Sequence, residues 1–356
     1  MPEHILAKDG NFLYRCRHDA LLYPGPPRTS EGEPPPPPPP PPTGERILAA
    51  GHFIGPDNIR HLAQWNGDAW QPPNGVDTEL AEGDVINAVG SAQGHVLFSV
   101  GLGDSSGWSL RTINLQGQWL ELEFFPFAPQ SRLPQAIFSS TYYPGGLILV
   151  TGGPSHPIKV FLWYPDTGFT SLGGIPEGNT VWGHCDFDGS ILLGGPNGQI
   201  WRYRIGTETW DLWGFPYLPG MFMRALAVHD GFLYASANST DPDPDELPIV
   251  VYDGGWSNIS GGHSFAWTGG RVFQGSLYQA GQGAEQGVIL KYEEGSLWSN
   301  YRTGWGFIQV STAQHMYLAG DFGAHPGVWI DVGGGSEPTR LGEPSVNGAV
   351  ILHPEA

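Results

Sequence analysis

The chain has 356 residues, of which 14% are charged, 53 are glycine and 34 are proline. Its formal net charge of −19 argues against binding to nucleic acid or to an anionic membrane surface, because both depend on lysine and arginine. The sequence contains no run of 18 apolar residues, so it predicts no membrane insertion. With 14 Trp, 17 Phe and 13 Tyr, it is also unlike a disordered chain, which has few aromatic residues.

The N-terminal residues 1–33 predict a β-hairpin. Two apolar runs, HILAK and NFLYRC, flank Asp9-Gly10, a pair typical of a type I′ turn. Because an isolated hairpin is only marginally stable in water, we expect this segment to dock on other structural proteins of a larger assembly. No secretory signal precedes it. The expected docking residues are Ile5, Leu6, Phe12, Leu13 and Tyr14.

A proline-rich linker, residues 34–45, follows the hairpin. Its nine consecutive prolines, Pro34 to Pro42, favour a polyproline II helix that spans ~28 Å at about 3.1 Å per residue. Such a rod would hold the hairpin at a distance from whatever follows.

Residues 46–356 repeat a four-strand unit with Gly-containing turns. The clearest copies are residues 146–173 and 190–213. The third strand of each copy carries an apolar or aromatic anchor, and neighbouring anchors are between 38 (Tyr292 to Ile330) and 51 (Ile113 to Tyr164) residues apart. This spacing is typical of β-propeller blades. The seven anchors are Trp65, Ile113, Tyr164, Tyr203, Tyr252, Tyr292 and Ile330.

The two ends of the repeat region predict how the propeller closes. The first copy begins at its second strand, whereas SVNGAVILH (345–353) is an extra strand after the last complete copy. Inserting this C-terminal strand into the first blade would complete seven four-stranded blades and leave no open sheet edge. We therefore predict an all-β chain with a single seven-bladed propeller; six and eight blades are the alternatives.

Several motifs resemble kelch-type propellers. They are the Gly152-Gly153 doublet, the turn from Tyr164 to Gly168, and the pair Tyr203 and Trp210. WNGDAW (65–70) also resembles propeller repeats of bacterial surface proteins. Both resemblances imply a fold and leave the chemistry open. The order of hairpin, linker and distal propeller is similar to that of phage tail and fibre proteins.

No catalytic motif stands out. The sequence lacks G-x-S-x-G, H-E-x-x-H and C-x-x-C, and its two cysteines, Cys16 and Cys185, lie on opposite sides of the proline tract. His184 and Cys185 fall on an expected inner strand, where we interpret them as packing residues rather than as catalytic or metal-binding groups. We expect no enzymatic activity and no cofactor; a sugar-active or oxidase-type enzyme is the alternative.

An acidic segment offers a candidate Ca²⁺ site. Alternating carboxylates suit a hard cation, but the glycine and the bidentate glutamate of an EF-hand are absent. The main interpretation is therefore a solvated loop, and Ca²⁺ binding is the alternative. The candidate ligands are Asp241, Asp243, Asp245 and Glu246.

One face of the propeller is predicted to bind a ligand. Loops between second and third strands emerge on the same face as the connections between blades, and these loops are rich in aromatic and polar residues suited to glycan or protein recognition. The candidate binding residues are Trp108, His156, Trp182, Tyr217, Phe222, Arg224, Trp305, Phe322 and His325.

We therefore predict a non-catalytic structural or binding protein. Its leader would anchor the chain in a phage virion, and its propeller would recognise a glycan or protein receptor on the host surface. The alternative to the enzyme and virion hypotheses is a cellular kelch-like scaffold. The predicted localisation is the virion, with an extracellular or cytoplasmic location as the alternative.

Deleting residues 1–33 should leave a folded propeller that no longer joins its parent assembly, since the hairpin and the repeats are expected to be separate units. Circular dichroism and co-purification with the assembly would test this. Unfolding of the shortened chain would contradict the docking hypothesis.

Overall fold

The computed structural model describes most of the repeat region and two short N-terminal strands. The described residues are 4–6, 12–14, 47–54, 60–65, 69–73, 80, 84–101, 108–114, 116–122, 134–153, 156–178, 180–181, 183–213, 221–239, 249–259, 266–282, 287–293, 297–303, 310–311, 315–320, 327–331, 339–340 and 345–354.

The chain divides into two compact units, residues 1–39 and residues 40–356. In the first unit, β1 (His4–Leu6) pairs antiparallel with β2 (Phe12–Tyr14), and Ile5 lies opposite Leu13. The predicted hairpin strands are therefore present, although they are shorter than the apolar runs. The Asp9-Gly10 turn and residues 15–46, with the proline tract, lie outside the described residues. The predicted boundaries at 33 and 45 stay a prediction.

The described strands of the second unit form seven four-stranded antiparallel sheets. Sheet 1 contains β30 (Ser345–Pro354), β3 (Ile47–Ile54), β4 (Arg60–Trp65) and β5 (Trp70–Gln71) in that order. The other sheets each use four consecutive strands. They are sheet 2, with β6 (Val85–Ala92), β7 (His95–Gly101), β8 (Trp108–Ile113) and β9 (Trp119–Glu121); sheet 3, with β10 (Pro134–Ser139), β11 (Leu147–Gly153), β12 (His156–Tyr164) and β13 (Gly168–Gly178); sheet 4, with β14 (Gly183–Phe187), β15 (Ser190–Gly194), β16 (Ile200–Arg204) and β17 (Thr209–Leu212); sheet 5, with β18 (Met221–His229), β19 (Phe232–Ser239), β20 (Ile249–Tyr252) and β21 (Trp256–Asn258); sheet 6, with β22 (Ala266–Phe273), β23 (Ser276–Gln282), β24 (Gly287–Glu293) and β25 (Leu297–Thr303); and sheet 7, with β26 (Val310–Ser311), β27 (Met316–Gly320), β28 (Gly327–Asp331) and β29 (Thr339–Arg340).

The first strand of each sheet faces the centre of the ring. Neighbouring first strands contact one another, as β14 contacts β18 and β18 contacts β22. Short four-stranded antiparallel sheets arranged radially in this way form a β-propeller. The prediction of a single all-β propeller with four-stranded blades is confirmed, and the space that the first strands enclose is called the central channel below.

The C-terminal strand closes the ring as predicted. In β30, Pro354 pairs with Ile47 of β3 and Ile351 pairs with Ala50. β3 is thus flanked by β30 on one side and by β4 on the other. Sheet 1 is therefore built from both ends of the repeat region, and β3 leaves no unpaired edge.

The hydrophobic core lies between the faces of adjacent sheets. Alternate side chains of a strand point to opposite faces, and sheets 2 to 6 each contribute to two of the described clusters. One cluster joins sheets 2 and 3 through Leu97, Leu149 and Trp163. Another joins sheets 3 and 4 through Val160 and Leu193. Each blade thus depends on its neighbours for burial.

The predicted third-strand anchors all fall on third strands. Tyr203 lies directly opposite Trp210 on the fourth strand, with ring centroids 5.1 Å apart. The indole nitrogen of Trp210 then donates a 2.8 Å hydrogen bond to the carbonyl of Leu172 in the preceding sheet. Trp298 makes the same 2.8 Å bond to the carbonyl of Ile259. The fourth-strand tryptophans therefore fasten one blade to the blade before it.

A buried ion pair joins sheets 6 and 7. Asp331, which is fully buried, accepts hydrogen bonds from Arg302 Nε at 3.0 Å and from the Tyr301 hydroxyl at 3.0 Å. Burial raises the pKa of Tyr301 above its ordinary value, and the negative charge of Asp331 raises it further. The hydroxyl therefore stays protonated and keeps its role as donor.

The described part of the chain holds no helix with the length and apolar character needed to span a bilayer.

Deleting residues 345–356 should destabilise the whole propeller, because it removes the partner of β3 and exposes a sheet edge. We expect the melting temperature to fall by about 10 °C or more, as measured by differential scanning calorimetry. Deletion of residues 1–33 serves as the control and should leave the melting temperature unchanged. An unchanged melting temperature in the C-terminal deletion would show that β30 is dispensable for closure.

Candidate functional site

The two faces of the propeller differ in the length of their connections. At one face the first and second strands of sheets 2, 4, 5 and 6 are joined by two-residue turns with positive φ at both positions, such as Gln93-Gly94, Asp188-Gly189 and Asp230-Gly231. These are type I′ turns, which match the twist of the strands and keep loops short. We call this end the tight-turn face.

The longest connections of the ring join strand ends at the opposite face. They are residues 72–84 and 122–133, between sheets, and residues 240–248, between β19 and β20. We call this end the long-connection face. Binding residues are found disproportionately on loops that a rigid scaffold positions, so this face is the candidate site.

Four of the predicted binding residues are described, and all four lie at the long-connection end of their strands. Trp108 begins β8 opposite Gly101, His156 begins β12 opposite Gly153, and Phe222 and Arg224 lie near the start of β18. The remaining five lie outside the described residues, as do the candidate Ca²⁺ ligands. These residues are Trp182, Tyr217, Trp305, Phe322 and His325, and Asp241, Asp243, Asp245 and Glu246.

Phe222 is not an exposed ring, contrary to the sequence-based prediction. Its side chain is 5% exposed, because β18 packs closely on sheet 4 at this point and Phe222 forms a β-bridge with Pro196. Trp108 is half-buried and packs against the core between sheets 2 and 3. Packing between blades therefore explains the burial of Phe222 and the partial burial of Trp108.

Several described first strands carry a one-residue bulge near the long-connection face. The bulged residues are Asn87 in β6, Gln135 in β10, Arg224 in β18 and Thr268 in β22. A bulged residue has no partner in the ladder, and bulges often lie at rims and beside sites, where they redirect a side chain. All four bulged positions are occupied by residues of a polar type.

The side chain of Gln135 has a structural role. Its amide nitrogen donates to the carbonyl of Gly152 at 2.6 Å, and its amide oxygen accepts from the backbone of Val181 at 2.8 Å. The side chain thus ties β11 to the connection that leads into sheet 4. This bulge is a fastening between blades rather than a ligand contact.

Arg224 lies on a bulge that sheet 4 holds in place. The backbone nitrogen of Met223 donates to the carbonyl of Gly195 at 2.8 Å, and Gly198 N donates to the carbonyl of Met221 at 3.1 Å. The connection between β15 and β16 therefore pairs with the start of β18. This pairing fixes the backbone on the N-terminal side of Arg224.

Two glycines allow that close approach. A Cβ on Gly194 would lie 2.7 Å from the Met223 carbonyl oxygen, and one on Gly183 would lie 2.8 Å from the Arg224 carbonyl oxygen. Backbone atoms cannot give way as a flexible side chain can. The glycines are therefore required for the contact that positions Arg224.

His184 and Cys185 lie on the first strand of sheet 4, as predicted. The His184 ring stacks on Phe138, with centroids 3.8 Å apart and planes 14° apart. Cys185 is a free thiol that packs against the core between sheets 4 and 5. Burial, with a smaller contribution from Asp186, raises the pKa of the Cys185 thiol above its ordinary value. A thiol in this state is a poor nucleophile, which agrees with the interpretation of both residues as packing groups.

Arg271 is a further residue of the central channel that the sequence-based prediction missed. It lies on β22 and is half-buried, and its Nη1 donates to the carbonyl of Gly270 at 2.7 Å. It lies on a first strand, like Cys185 of sheet 4, and so belongs to the strands that surround the channel.

A sequence signal could have located these channel residues. In all four of these first strands the bulged polar residue is followed by a small one: Asn87-Ala88, Gln135-Ala136, Arg224-Ala225 and Thr268-Gly269. The pattern of a polar and then a small residue at the start of each repeat marks the bulge.

No group of three or more His, Cys, Asp or Glu side chains that could hold a metal ion occurs among the described residues.

Comparison with known proteins identifies the fold of the chain. No family model matches the chain, and no curated protein matches its sequence. Solved structures do match. They include a protein from Lactobacillus plantarum (11% identity, TM-score 0.61, covering 88% of this chain and 100% of that one), a putative 6-phosphogluconolactonase from Bacteroides fragilis (15% identity, TM-score 0.56, covering 88% and 98%) and the WD40 repeats of RRP9 (10% identity, TM-score 0.50, covering 86% and 90%).

The chain is a β-propeller. At these levels of identity the likeness concerns the fold alone, because unrelated functions share this architecture. The kelch resemblance and the phage-like layout are therefore taken up below as proposals.

Gly194→Ala should destabilise the propeller by about 1–3 kcal/mol, because the new methyl group meets the backbone of β18 and the strand must shift. Thermal or urea unfolding would measure this. Gly206→Ala is the matched control, since a Cβ there meets nothing within 4 Å; it should change the free energy of unfolding by about 0.5 kcal/mol or less. Equal effects of the two substitutions would show that the contact between sheets 4 and 5 is loose.

Proposed function

We propose that the protein is a tethered binding protein whose long-connection face recognises a glycan or a protein. The proposal rests chiefly on where the chain enters the ring. β3 begins at Ile47, which pairs with Trp65 next to the turn before β5, and this turn belongs to the tight-turn face. β3 therefore begins at the face opposite the long connections.

The tight-turn face also receives the end of the ring. Pro354 pairs with Ile47, so β30 ends at the tight-turn face. Attachment there leaves the long-connection face free to meet a ligand. This arrangement suits a protein that is fixed at one end and recognises a surface with the other.

The character of the long-connection face supports recognition. Its described part combines a half-buried Trp108 with polar bulged side chains such as Asn87 and Arg224. Aromatic and polar groups held on a rigid scaffold are the usual components of glycan-binding and protein-binding surfaces.

The larger assembly that we propose is a phage virion, with the chain in its tail or fibre. The support is the order of elements: a short hairpin, a run of prolines and a distal propeller. In this proposal residues 1–33 contact other structural proteins of the particle and the propeller faces the host surface. A cellular scaffold with a kelch-like propeller would use the same geometry towards an intracellular partner.

An enzymatic role is the second candidate, because one similar structure is described as a putative 6-phosphogluconolactonase. The described channel residues do not favour it: the Cys185 thiol is held protonated by burial, and the His184 ring is stacked on Phe138. We propose no catalytic residue, and the experiment below includes lactonase activity as an outcome.

The experiment blocks one face at a time. Cys16→Ser provides the background, and Cys185, which is half-buried and has a raised thiol pKa, is expected to react slowly. Pro157→Cys places a thiol at an exposed position of the long-connection end, and Asp230→Cys places one in a turn of the tight-turn face. Each variant is coupled to a maleimide-polyethylene glycol and tested on an array of bacterial surface glycans and on immobilised host-surface proteins.

We expect the polymer at position 157 to abolish binding and the polymer at position 230 to leave it intact. Equal inhibition by both polymers would overturn the assignment of the face. Hydrolysis of 6-phosphogluconolactone by the unmodified protein, without binding to any array component, would instead favour the enzyme.

A further inference from the structure

We propose that sheet 1 is a strand-acceptor site and that it also accepts β30 of a second copy of this chain. Two copies then exchange their C-terminal strands and form a dimer of closed rings. The inference goes beyond the proposed function and does not depend on it, because it concerns how copies associate. It rests on the way in which sheet 1 is built from both ends of the repeat region.

The acceptor is the edge of β3 that β30 covers. Four successive side chains of β3 are fully buried. Leu48 and Ala50 pack in the cluster shared with sheet 2, and Ile47 and Ala49 alternate to the other face of the strand. Without β30, unpaired backbone groups would therefore lie between two apolar faces. An edge of this kind is a template for an added strand, and strand addition is a common mode of protein recognition.

β30 has the features of the strand that this edge accepts. Residues 350–354 pair with residues 47–51 without interruption, and a bulge separates them from the pairs of Ser345 and Val346. Ala349 to Leu352 are all apolar, a short run typical of a strand buried on both faces. β30 also contacts β6 of sheet 2 and β27 of sheet 7. The acceptor is therefore a slot between two neighbouring blades.

A second copy can supply the same strand with the same contacts. The pairing of β30 with β3 does not depend on whether the two strands belong to one chain or to two. Exchange of an identical element is for this reason a low-cost route to dimers. Each ring gives one strand and receives one, so the exchanged dimer is closed and leaves no acceptor uncovered.

The connection before β30 favours exchange because it is short. Four residues, 341–344, lead from the outermost strand of sheet 7 to the innermost strand of sheet 1, whereas residues 72–84 make the corresponding crossing from sheet 1 to sheet 2. Three strand spacings amount to about 14 Å, and the five Cα-to-Cα steps from Arg340 to Ser345 reach at most about 18 Å. A connection with so little slack restrains closure within one chain, and short hinges of this kind promote exchange.

Charge and proximity oppose exchange. Each chain has a formal net charge of −19, and two such chains repel each other until salt screens the charges. Within one chain, β30 also has a high effective concentration at its own sheet. Exchange should therefore increase with protein concentration and with salt during refolding.

The experiment places one thiol on β3 and one on β30 in different copies of the full chain, with Cys16→Ser as the background. Ala49→Cys and Leu352→Cys occupy directly paired positions, which in antiparallel strands lie within reach of a disulfide. The two variants are mixed, unfolded in urea, refolded together at high protein concentration and high salt, and treated with oxidised glutathione. We expect a covalent dimer on a non-reducing gel and, by light scattering, twice the mass of one chain.

Ala49→Cys mixed with Ile351→Cys is the matched control. Successive positions of a strand alternate between faces, so a thiol at 351 lies on the other face from a thiol at 49, and no covalent dimer is expected. Each variant refolded alone should also give none. A chain that carries both Ala49→Cys and Leu352→Cys, refolded at low concentration, should form the disulfide within itself.

The length of the connection gives a second readout. Inserting Gly-Ser-Gly-Ser after Gly342 should remove most of the dimer, because the longer connection lets β30 close its own ring. Deleting Gly342 and Glu343 should make the dimer the main species, since the three remaining steps reach only about 11 Å. Light scattering at matched protein concentrations measures both effects.

Three results would overturn the proposal. One is the absence of a covalent dimer in the mixture when the chain with both thiols closes on itself. Another is a dimer that forms without the disulfide between positions 49 and 352, because the copies would then associate through another surface. The third is an equal dimer fraction in the lengthened and shortened chains. None of these results bears on ligand binding, which the polymer experiment tests separately.

Discussion

The pairing of β30 with β3 is the constraint on which the rest of the structure depends. Neighbouring blades bury their apolar faces against each other, so an open row of blades would leave an uncovered face at each end. Joining the C-terminal strand to the first sheet turns a row of blades into a closed circle. The indole bonds of Trp210 and Trp298 and the buried pair of Arg302 and Asp331 then act between blades that closure has already brought together.

The two faces of the closed ring also differ in their connections. Tight type I′ turns need little more than a glycine, as at Gly94 and Gly231, and leave one face with little room for side-chain variety. The opposite face collects the long connections and the bulged ends of the first strands. In the proposed function, the face with tight turns and the face that recognises a ligand are thus opposite ends of the same strands.

Much of this fold could be predicted from the sequence because its signals are local. The anchors from Trp65 to Ile330 fall on third strands, and the extra strand at 345–353 closes the ring. The candidate site was harder to predict, since the exposure of a side chain depends on the neighbouring blade. Phe222 lies at the expected end of β18 but is covered by the connection that contains Pro196. Arg271 was missed because a single strand pattern does not show which strands surround a channel.

The position of β3 has a mechanical consequence. Its first residue, Ile47, would receive the chain from the proposed tether, while β30 and β4 flank it on both sides. A force between a captured ligand and the tether would pull along the axis of β3, and the ladder hydrogen bonds run perpendicular to that axis. Both rows would therefore be loaded together in shear instead of being unzipped one bond at a time. In the proposed arrangement, the strand that seals the circle therefore also strengthens the point of attachment.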